Sequence, residues 1–502
     1  MHTIRRITDN CCMVDNSLGL DIRLFANEQV AIDKEAFVEL IDFLDVHRAV
    51  CDISGVDKDF FGEDAKINRV VLTPDFHKGS GVPVGTVVEA KGFVIPKAIG
   101  NDICCGMRLL ATDIPADKLD GHWEDIEKRL RALFFQGKRN IPMSPRQREA
   151  VLRDGLPGLL DTIKDNENTG IYKNYDARIQ RDDLESIHNH GGFHTAGIFG
   201  FDKFIKSSGK NDSRDPQIGC VGGSNHFVEI QRIDNILCGE TARQLGVYKN
   251  NIAIMVHSGS VGLGHAVGGY FVDRAKELFP KDIKHPKNDF YILPTSGQYK
   301  NEGDFYIDSM YNAANFAFAN RLFLGLMAAQ AIKEATGCDF SAKLVYDAPH
   351  NLVFNRNGFH LHRKGATPAE GPVKYSDWMG KPVLIPGSMG SASYLLTGRG
   401  NDDALESASH GAGRLLSRGA ASHVSDNIFD NQTEQLRIVN PIDFNSPQMQ
   451  MRKDIIEKLK KRRKEEAPYA YKPIAPVIES IVGSDIAHLV AKLMPLCTVK
   501  GW

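Results

Sequence analysis

No stretch of this 502-residue chain approaches the ~18 consecutive apolar residues that a membrane-spanning helix needs, so no membrane association is expected. The opening residues, MHTIRRITDNCCMVDNS, hold no apolar segment of the secretory-signal kind. An excess of one charge sign is also missing. With 61 Lys+Arg against 63 Asp+Glu, the formal net charge is -2. That balance excludes a bulk electrostatic scaffold for nucleic acid, so any RNA or DNA contact must come from a local basic patch. There is no disulfide framework either. The nine cysteines are odd in number and include two adjacent pairs, Cys11-Cys12 and Cys104-Cys105, which points to a reducing, cytoplasmic setting. Nothing fits GxxxxGK[ST], which excludes a P-loop but not other nucleotide sites. Internal repeats and low-complexity linkers are absent.

What remains is ordinary globular composition, 42% hydrophobic and 25% charged, which rules out a largely disordered chain. Apolar spacing over 34–49 predicts an amphipathic helix, and 68–114 alternates short β-branched runs with Gly and Pro, as strands and loops do. Residues 123–168 read as charged helix, and the polar 203–218 stretch as a surface loop. The apolar run 311–337 reads as a long helix capped by Gly337. After 440 the pattern predicts a basic helix (MQMRKDIIEKLKKRRKEE), then a last apolar helix running into MPLCTVKGW. With no linkers, the expectation is an α+β fold. It should be a single large domain with a mixed and antiparallel β-rich core surrounded by helices, and a metal site at strand ends in a central cleft. Residues 1–65 would supply N-terminal strands and a helix, and 70–500 a catalytic core.

Five segments combine metal-capable side chains with small-residue loops: PDFHKGSG (74–81), GNDICCGMR (100–108), GGSNHFVE (222–229), VHSGSVGLGH (256–265) and YDAPHN (346–351). Each follows an apolar run, where a side chain can project from a strand end into a cleft. One thiolate, one carboxylate and three imidazoles suffice for two divalent ions. Taken singly, each histidine reads as a hydrogen-bonded structural residue, and Cys104 and Cys105 as small buried hydrophobes. Cys and His donors suggest zinc as readily as manganese, while the aspartate tilts the set toward a harder ion. In a sixth segment, ASHGAGRLLSR (408–418), small residues flank His410 and leave room for a nucleotide. Arg414 and Arg418 stand four residues apart, one turn of a helix, and could grip phosphate. The plainer reading is a helix start with two solvated arginines.

Taken in order, these segments resemble the RtcB-type RNA-splicing ligases. The resemblance runs from about residue 70 to Lys500 and adds AANFAFANR (313–321), HRKGAT (362–367), PGSMGSASY (386–394) and the terminal VKG. It implies a GTP- and manganese-dependent enzyme that joins RNA 2′,3′-cyclic phosphate or 3′-phosphate ends to 5′-hydroxyl ends, in tRNA splicing or RNA repair. The implied route is a guanylylated histidine, His410, and an RNA-(3′)ppG intermediate. Asp102, Cys105, His226, His257 and His350 would hold two Mn²⁺, with Cys105 rather than Cys104 bridging them. The guanine nucleotide would be held by Asn225, His226, Phe227, Val228 and Glu229, by His350 and Asn351, by Pro386, Gly387, Ser388, Met389 and Ser393, by His410, Gly411, Ala412 and Gly413, and by Lys500. Arg414 and Arg418 would contact RNA phosphates, and the resemblance allows for an archease-type activating protein. One departure stands out: HSGSVG carries Val261 where the family's segment has arginine. The competing expectation is a dinuclear metallophosphoesterase that acts on RNA ends through the same ligands without covalent GMP.

Overall fold

A computed structural model describes residues 3–62, 64–163, 169–200, 217–372, 378–444 and 446–501. The polar 203–218 stretch and the tail of the 123–168 segment fall, for 203–216 and 164–168, outside the described residues.

Two sheets carry the molecule. One runs Thr3–Thr8, Cys11–Asp15, Asp21–Phe25, Lys66–Ser80, Val82–Lys91, Phe359–Lys364, Asn351–Arg356, antiparallel except where Asp21–Phe25 meets Lys66–Ser80. The N-terminal strands thus extend the same sheet as PDFHKGSG. The other runs Ala342–Pro349, Gly106–Pro115, Asn251–Ser258, Phe227–Ile236, Ala487–Val499, Ser393–Gly398, Pro382–Ile385, with Arg437–Val439 parallel to Ala487–Val499. The expected α+β architecture is what these sheets and their covering helices form.

The helix Lys300–Thr336 packs across the second sheet and is buried along most of its length. It closes on Gly337 in the left-handed region (φ 68°), whose N–H donates to the Lys333 carbonyl, as expected. It begins eleven residues earlier than its apolar run because the polar KNEGDFYIDSM still turns as helix. Buried polar side chains stud it. Asn312, Asn315 and Asn320 each bond backbone of neighbouring segments, so its interior polarity is satisfied by tertiary partners.

Three sequence expectations are corrected. The predicted helix over 34–49 is two helices, Lys34–Phe43 and Asp45–Val56, broken at Leu44. Asp33 caps the first by accepting from Glu35 N at 2.8 Å, and the buried period Leu40, Phe43, Val46, Val50 continues across the break. The basic helix is confined to Lys453–Lys464. The final apolar run is not wholly helical. Ile474–Gly483 is a helix, but Ala487–Val499 is a central strand, and Pro495 sits where its register with Phe227–Ile236 shifts. A proline cannot continue a helix, whereas at a bulge its missing N–H costs no ladder bond.

Candidate metal and nucleotide cleft

Antiparallel register assembles the centre. Cys105 precedes the strand Gly106–Pro115, His226 precedes Phe227–Ile236, His257 lies near the end of Asn251–Ser258, and His350 follows Ala342–Pro349. Gly106 pairs with both Ser258 and Pro349, and Phe227 pairs with His257, so all four side chains leave the sheet at one end. Cys105 Sγ is 3.2 Å from both His226 Nε2 and His257 Nε2. His257 Nε2 is 3.3 Å from His350 Nε2, and His226 Nε2 is 2.7 Å from Asp102 Oδ2. Two donor groups result, Cys105–His257–His350 and Asp102–Cys105–His226, each with its atoms within 4.8 Å of one another. They share one sulfur.

The donors fit two divalent cations. Ligands on bonds of 2.0–2.3 Å stand roughly 3.3–3.8 Å apart around a tetrahedral ion, close to the 3.2–3.3 Å spacings among Cys105, His226, His257 and His350, while Asp102 and His226 at 2.7 Å stand in direct hydrogen-bond contact. His257 Nδ1 faces the carbonyl of Asn225 at 3.2 Å, so Nδ1 carries the proton and Nε2 a bare lone pair. Burial holds His257 and His350 well below the usual imidazole range, in the neutral, ligating form. Burial, then Asp102, pushes the Cys105 thiol well up. A thiolate at that position therefore needs a cation beside it. Burial alone would raise the Asp102 carboxyl, but His226 and the Cys105 hydrogen bond hold it below its ordinary value.

Arg321, fully buried on the long helix, braces this end of the sheet. Its guanidinium donates to the carbonyls of Cys104 (2.7 Å) and Ser258 (3.1 Å) and pairs with Asp347 at 2.8 Å; Asp347 also meets Arg108 at 3.2 Å. One side chain thus ties the residue before Cys105, the residue after His257 and the strand that leads into His350. Cys104 takes a left-handed backbone (φ 57°) and points back toward Arg321, away from the ligands.

Above the ligands opens a cleft of about 510 Å³. His410 enters it from the loop after the strand Ser407–Ser409, its ring 4.8 Å from that of His350. Its Nδ1 lies 2.6 Å from Oδ2 of the fully buried Asp75. Since a carboxylate only accepts, Nδ1 carries a proton, and in the neutral ring the free pair is then on Nε2. Burial would raise the Asp75 pKa, but His410 and the Thr73 hydroxyl at 2.5 Å hold it below the carboxylate range. Gly413 (φ 79°) lets the loop press on Asp75, because a Cβ there would meet the Asp75 carbonyl at 2.2 Å. On the far wall Glu229 is buried and accepts from Gln231 at 2.7 Å. Desolvation raises its carboxyl to about 7, against the pull of Gln231 and Lys500.

The sequence profile of the family described as tRNA-splicing ligase RtcB matches residues 64–501. The chain belongs to the RtcB family. It is 31% identical over 456 residues to the tRNA-splicing ligase RtcB of Thermococcus kodakarensis, covering 86% of this chain and 87% of that one. With the protein of the same name from Methanococcus maripaludis, identity is 30% over 524 residues, covering 98% and 96%. The RNA-splicing ligase RtcB of Mycobacterium bovis is 32% identical over 449 residues, covering 85% and 96%.

Most residues marked by the RtcB resemblance meet in this cleft. Asn225, Phe227, Glu229, Asn351, Pro386 to Met389, His410 to Gly413, Arg414, Arg418 and Lys500 line it. Of those marked for the nucleotide, four do not: His226 and His350 stay below it among the metal-capable donors, and Val228 and Ser393 lie outside the lining. Val228 points into the hydrophobic core on the opposite face from Phe227. Ser393 stands behind the wall, its Oγ accepting from Gln231 and from Gly387 N. The Asn351 carboxamide clamps the Asp102 carbonyl and Gly365 N. The expected helical turn from Arg414 to Arg418 does not form, because the glycine-containing loop stays extended and helix begins only at Arg418, capped by Ser417. Arg414 is half-buried and committed to Glu466 at 2.7 Å and the Glu465 carbonyl at 2.8 Å. Val261 heads the helix Val261–Leu278 at φ 49°, a region β-branched residues rarely adopt, and does not line the cleft.

Sequence reasoning missed Asp75, His77, Lys364, Glu466 and Tyr471. The first two lie in a segment it singled out, yet nothing local ties Asp75 to a residue 335 positions away. Glu466 and Tyr471 carry no motif. Among the described residues no helix is long and apolar enough to cross a membrane.

Proposed function

We propose that the protein is a GTP- and manganese-dependent RNA ligase that seals 2′,3′-cyclic phosphate or 3′-phosphate ends to 5′-hydroxyl ends, in tRNA splicing or RNA repair. The printed names of its relatives support ligation of RNA. The single observation that carries the chemistry is His410: an imidazole whose Nδ1–H is held by buried Asp75 and whose other nitrogen faces the cleft above the two donor groups that share Cys105.

In this reading the Nε2 pair of His410 attacks the α-phosphorus of GTP. A P–N bond forms, the bond to the β-phosphate oxygen breaks, and pyrophosphate leaves. Asp75 keeps the Nδ1 proton in place and stabilises the charge that develops on the ring. Phe227 packs on the guanine, Glu229 accepts from its N–H edge, and Lys500 sits near both. Water first opens a cyclic phosphate. An oxygen of the resulting 3′-phosphate then displaces His410 to give RNA-(3′)ppG, and the 5′-hydroxyl oxygen attacks the 3′-phosphorus and releases GMP. Asp102, Cys105, His226, His257 and His350 are the residues that would hold two Mn²⁺, and such ions, when bound, offset phosphate charge. The reading places the protein in the cytoplasm and admits an archease-type activator.

Incubation with α-labelled GTP and Mn²⁺, followed by denaturing electrophoresis, tests it. Label should travel with the protein and be acid-labile, and His410→Ala should abolish both label and sealing. An unlabelled wild-type protein that still hydrolyses RNA terminal phosphates would instead establish the phosphoesterase reading.

A further inference from the structure

The cleft leaves one conspicuous feature of the sequence unused, the basic helix Lys453–Lys464 (KDIIEKLKKRRK). Leu459 is its one buried side chain among those described, with Ile455 and Ile456 half-buried beside it, so its apolar positions are spent on the protein. Lys453, Lys458, Lys460, Lys461 and Arg462 are exposed; Lys460 lies near Asp426, an acid already bonded by Lys464, and no described salt bridge engages the other four. The neighbouring charges are occupied. Arg463 stacks on Phe444, Lys464 bonds the Val424 carbonyl and Asp426, and Asp454 is held by Arg452. Glu457 is the helix's remaining acid. Lys458, Lys461 and Arg462 stand at i, i+3 and i+4, where like charges repel and weaken a helix.

The helix also leads to the cleft. Two residues past its end, Glu466 lines the cavity and engages Arg414 and Arg418, and the short helix Arg418–Ser422 packs against it. Over 12 residues the helix extends about 18 Å, room for several phosphates.

We infer that the exposed face of Lys453–Lys464 is a docking surface for the phosphodiester backbone of RNA running out of the cleft, with Lys458, Lys460, Lys461 and Arg462 as its contacts. This rests on the ligase reading for the identity of the strand. A membrane surface does not suit the helix, since its apolar positions face inward. The contacts are to phosphate, so they position the strand without reading its bases.

The test is the variant Lys458→Gln/Lys460→Gln/Lys461→Gln/Arg462→Gln, since glutamine keeps helix propensity. Affinity for a 3′-phosphorylated single-stranded RNA is measured by fluorescence anisotropy across a salt series, beside GMP uptake from labelled GTP. Binding should weaken at least tenfold near 0.1 M salt, and the slope of log K against log salt should shallow by ~3 units, at roughly 0.7 per phosphate lost on a single strand. GMP uptake should be unchanged. Affinity and slope within error of the unmodified protein would overturn the surface. If the fourfold variant also loses GMP uptake, Lys461→Gln/Arg462→Gln decides: a slope shallower by ~1.4 units supports the surface, and an unchanged slope rejects it. Absence of GMP uptake in the unmodified protein counts against the ligase reading alone, because the RNA titration stands without it.

Discussion

Asp75 Oδ2 and His410 Nδ1 lie 2.6 Å apart although 335 residues separate them in sequence. The contact fixes which imidazole nitrogen is free. Asp75→Asn can present an amide N–H to Nδ1 and so favour the wrong tautomer, as in hydrolytic triads, where that change costs about 10⁴ in rate. The expected outcome is a loss of at least ~10²-fold in the initial rate of GMP transfer, with metal stoichiometry unchanged. Rapid-quench labelling and a metal titration check the two halves.

Glu229 should make nucleotide binding depend on pH. Its carboxyl titrates at about 7 rather than at 4.5, mainly through desolvation. Under the proposed function the base is guanine, whose N–H donors favour the charged form, so affinity should rise about tenfold between pH 6 and 8 and then level off. Stability runs the other way. Between pH 4.5 and 7 the folded chain keeps a proton that the unfolded chain has lost, so this residue's contribution is present at low pH and falls as pH rises through that window. Glu229→Gln should flatten the binding profile in calorimetric titrations.

Arg321 offers a separation of stability from metal affinity. Arg321→Met strands Asp347 against Arg108 alone and should destabilise by about 3–5 kcal/mol, read from urea unfolding. Arg321→Lys keeps the charge but loses the fork that grips the Cys104 and Ser258 carbonyls. It should unfold closer to the unmodified protein yet bind Mn²⁺ some 10–100-fold more weakly, the usual range for residues that orient ligands.

The shared sulfur predicts an asymmetry between adjacent cysteines. Cys105→Ala removes a donor from both groups and should lower metal binding at both. Cys104→Ala removes a buried side chain that faces Arg321 and should leave metal stoichiometry intact. Cobalt titrations separate them, because the thiolate-to-metal band should vanish in the first and persist in the second.

The residues the structure brings together at the cleft were legible as candidates because each metal-capable side chain sits in a short motif at a strand end, where glycine and polar residues interrupt an apolar run. The pairings that join those ends were not. The Arg414–Arg418 spacing suggested a helical face, yet Gly413 takes a left-handed φ of 79°, helix starts only at Arg418, and Arg414 turns instead to Glu466. The run 487–499 is apolar enough for either helix or strand, and Pro495 was the residue that should have decided it. The long helix was read only from 311 because its first three turns are largely polar and derive their order from packing rather than from periodicity.

The strand Ala487–Val499 lies between Phe227–Ile236 and Ser393–Gly398, yet it follows every other strand along the chain. A growing polypeptide therefore exposes two unpaired strand edges in the middle of its largest sheet until this segment arrives. The early-made half can neither close that sheet nor contribute Lys500 to the cleft. Synthesis of this protein thus carries a window of vulnerability to edge-to-edge aggregation, which ends when residues 487–499 slot into place.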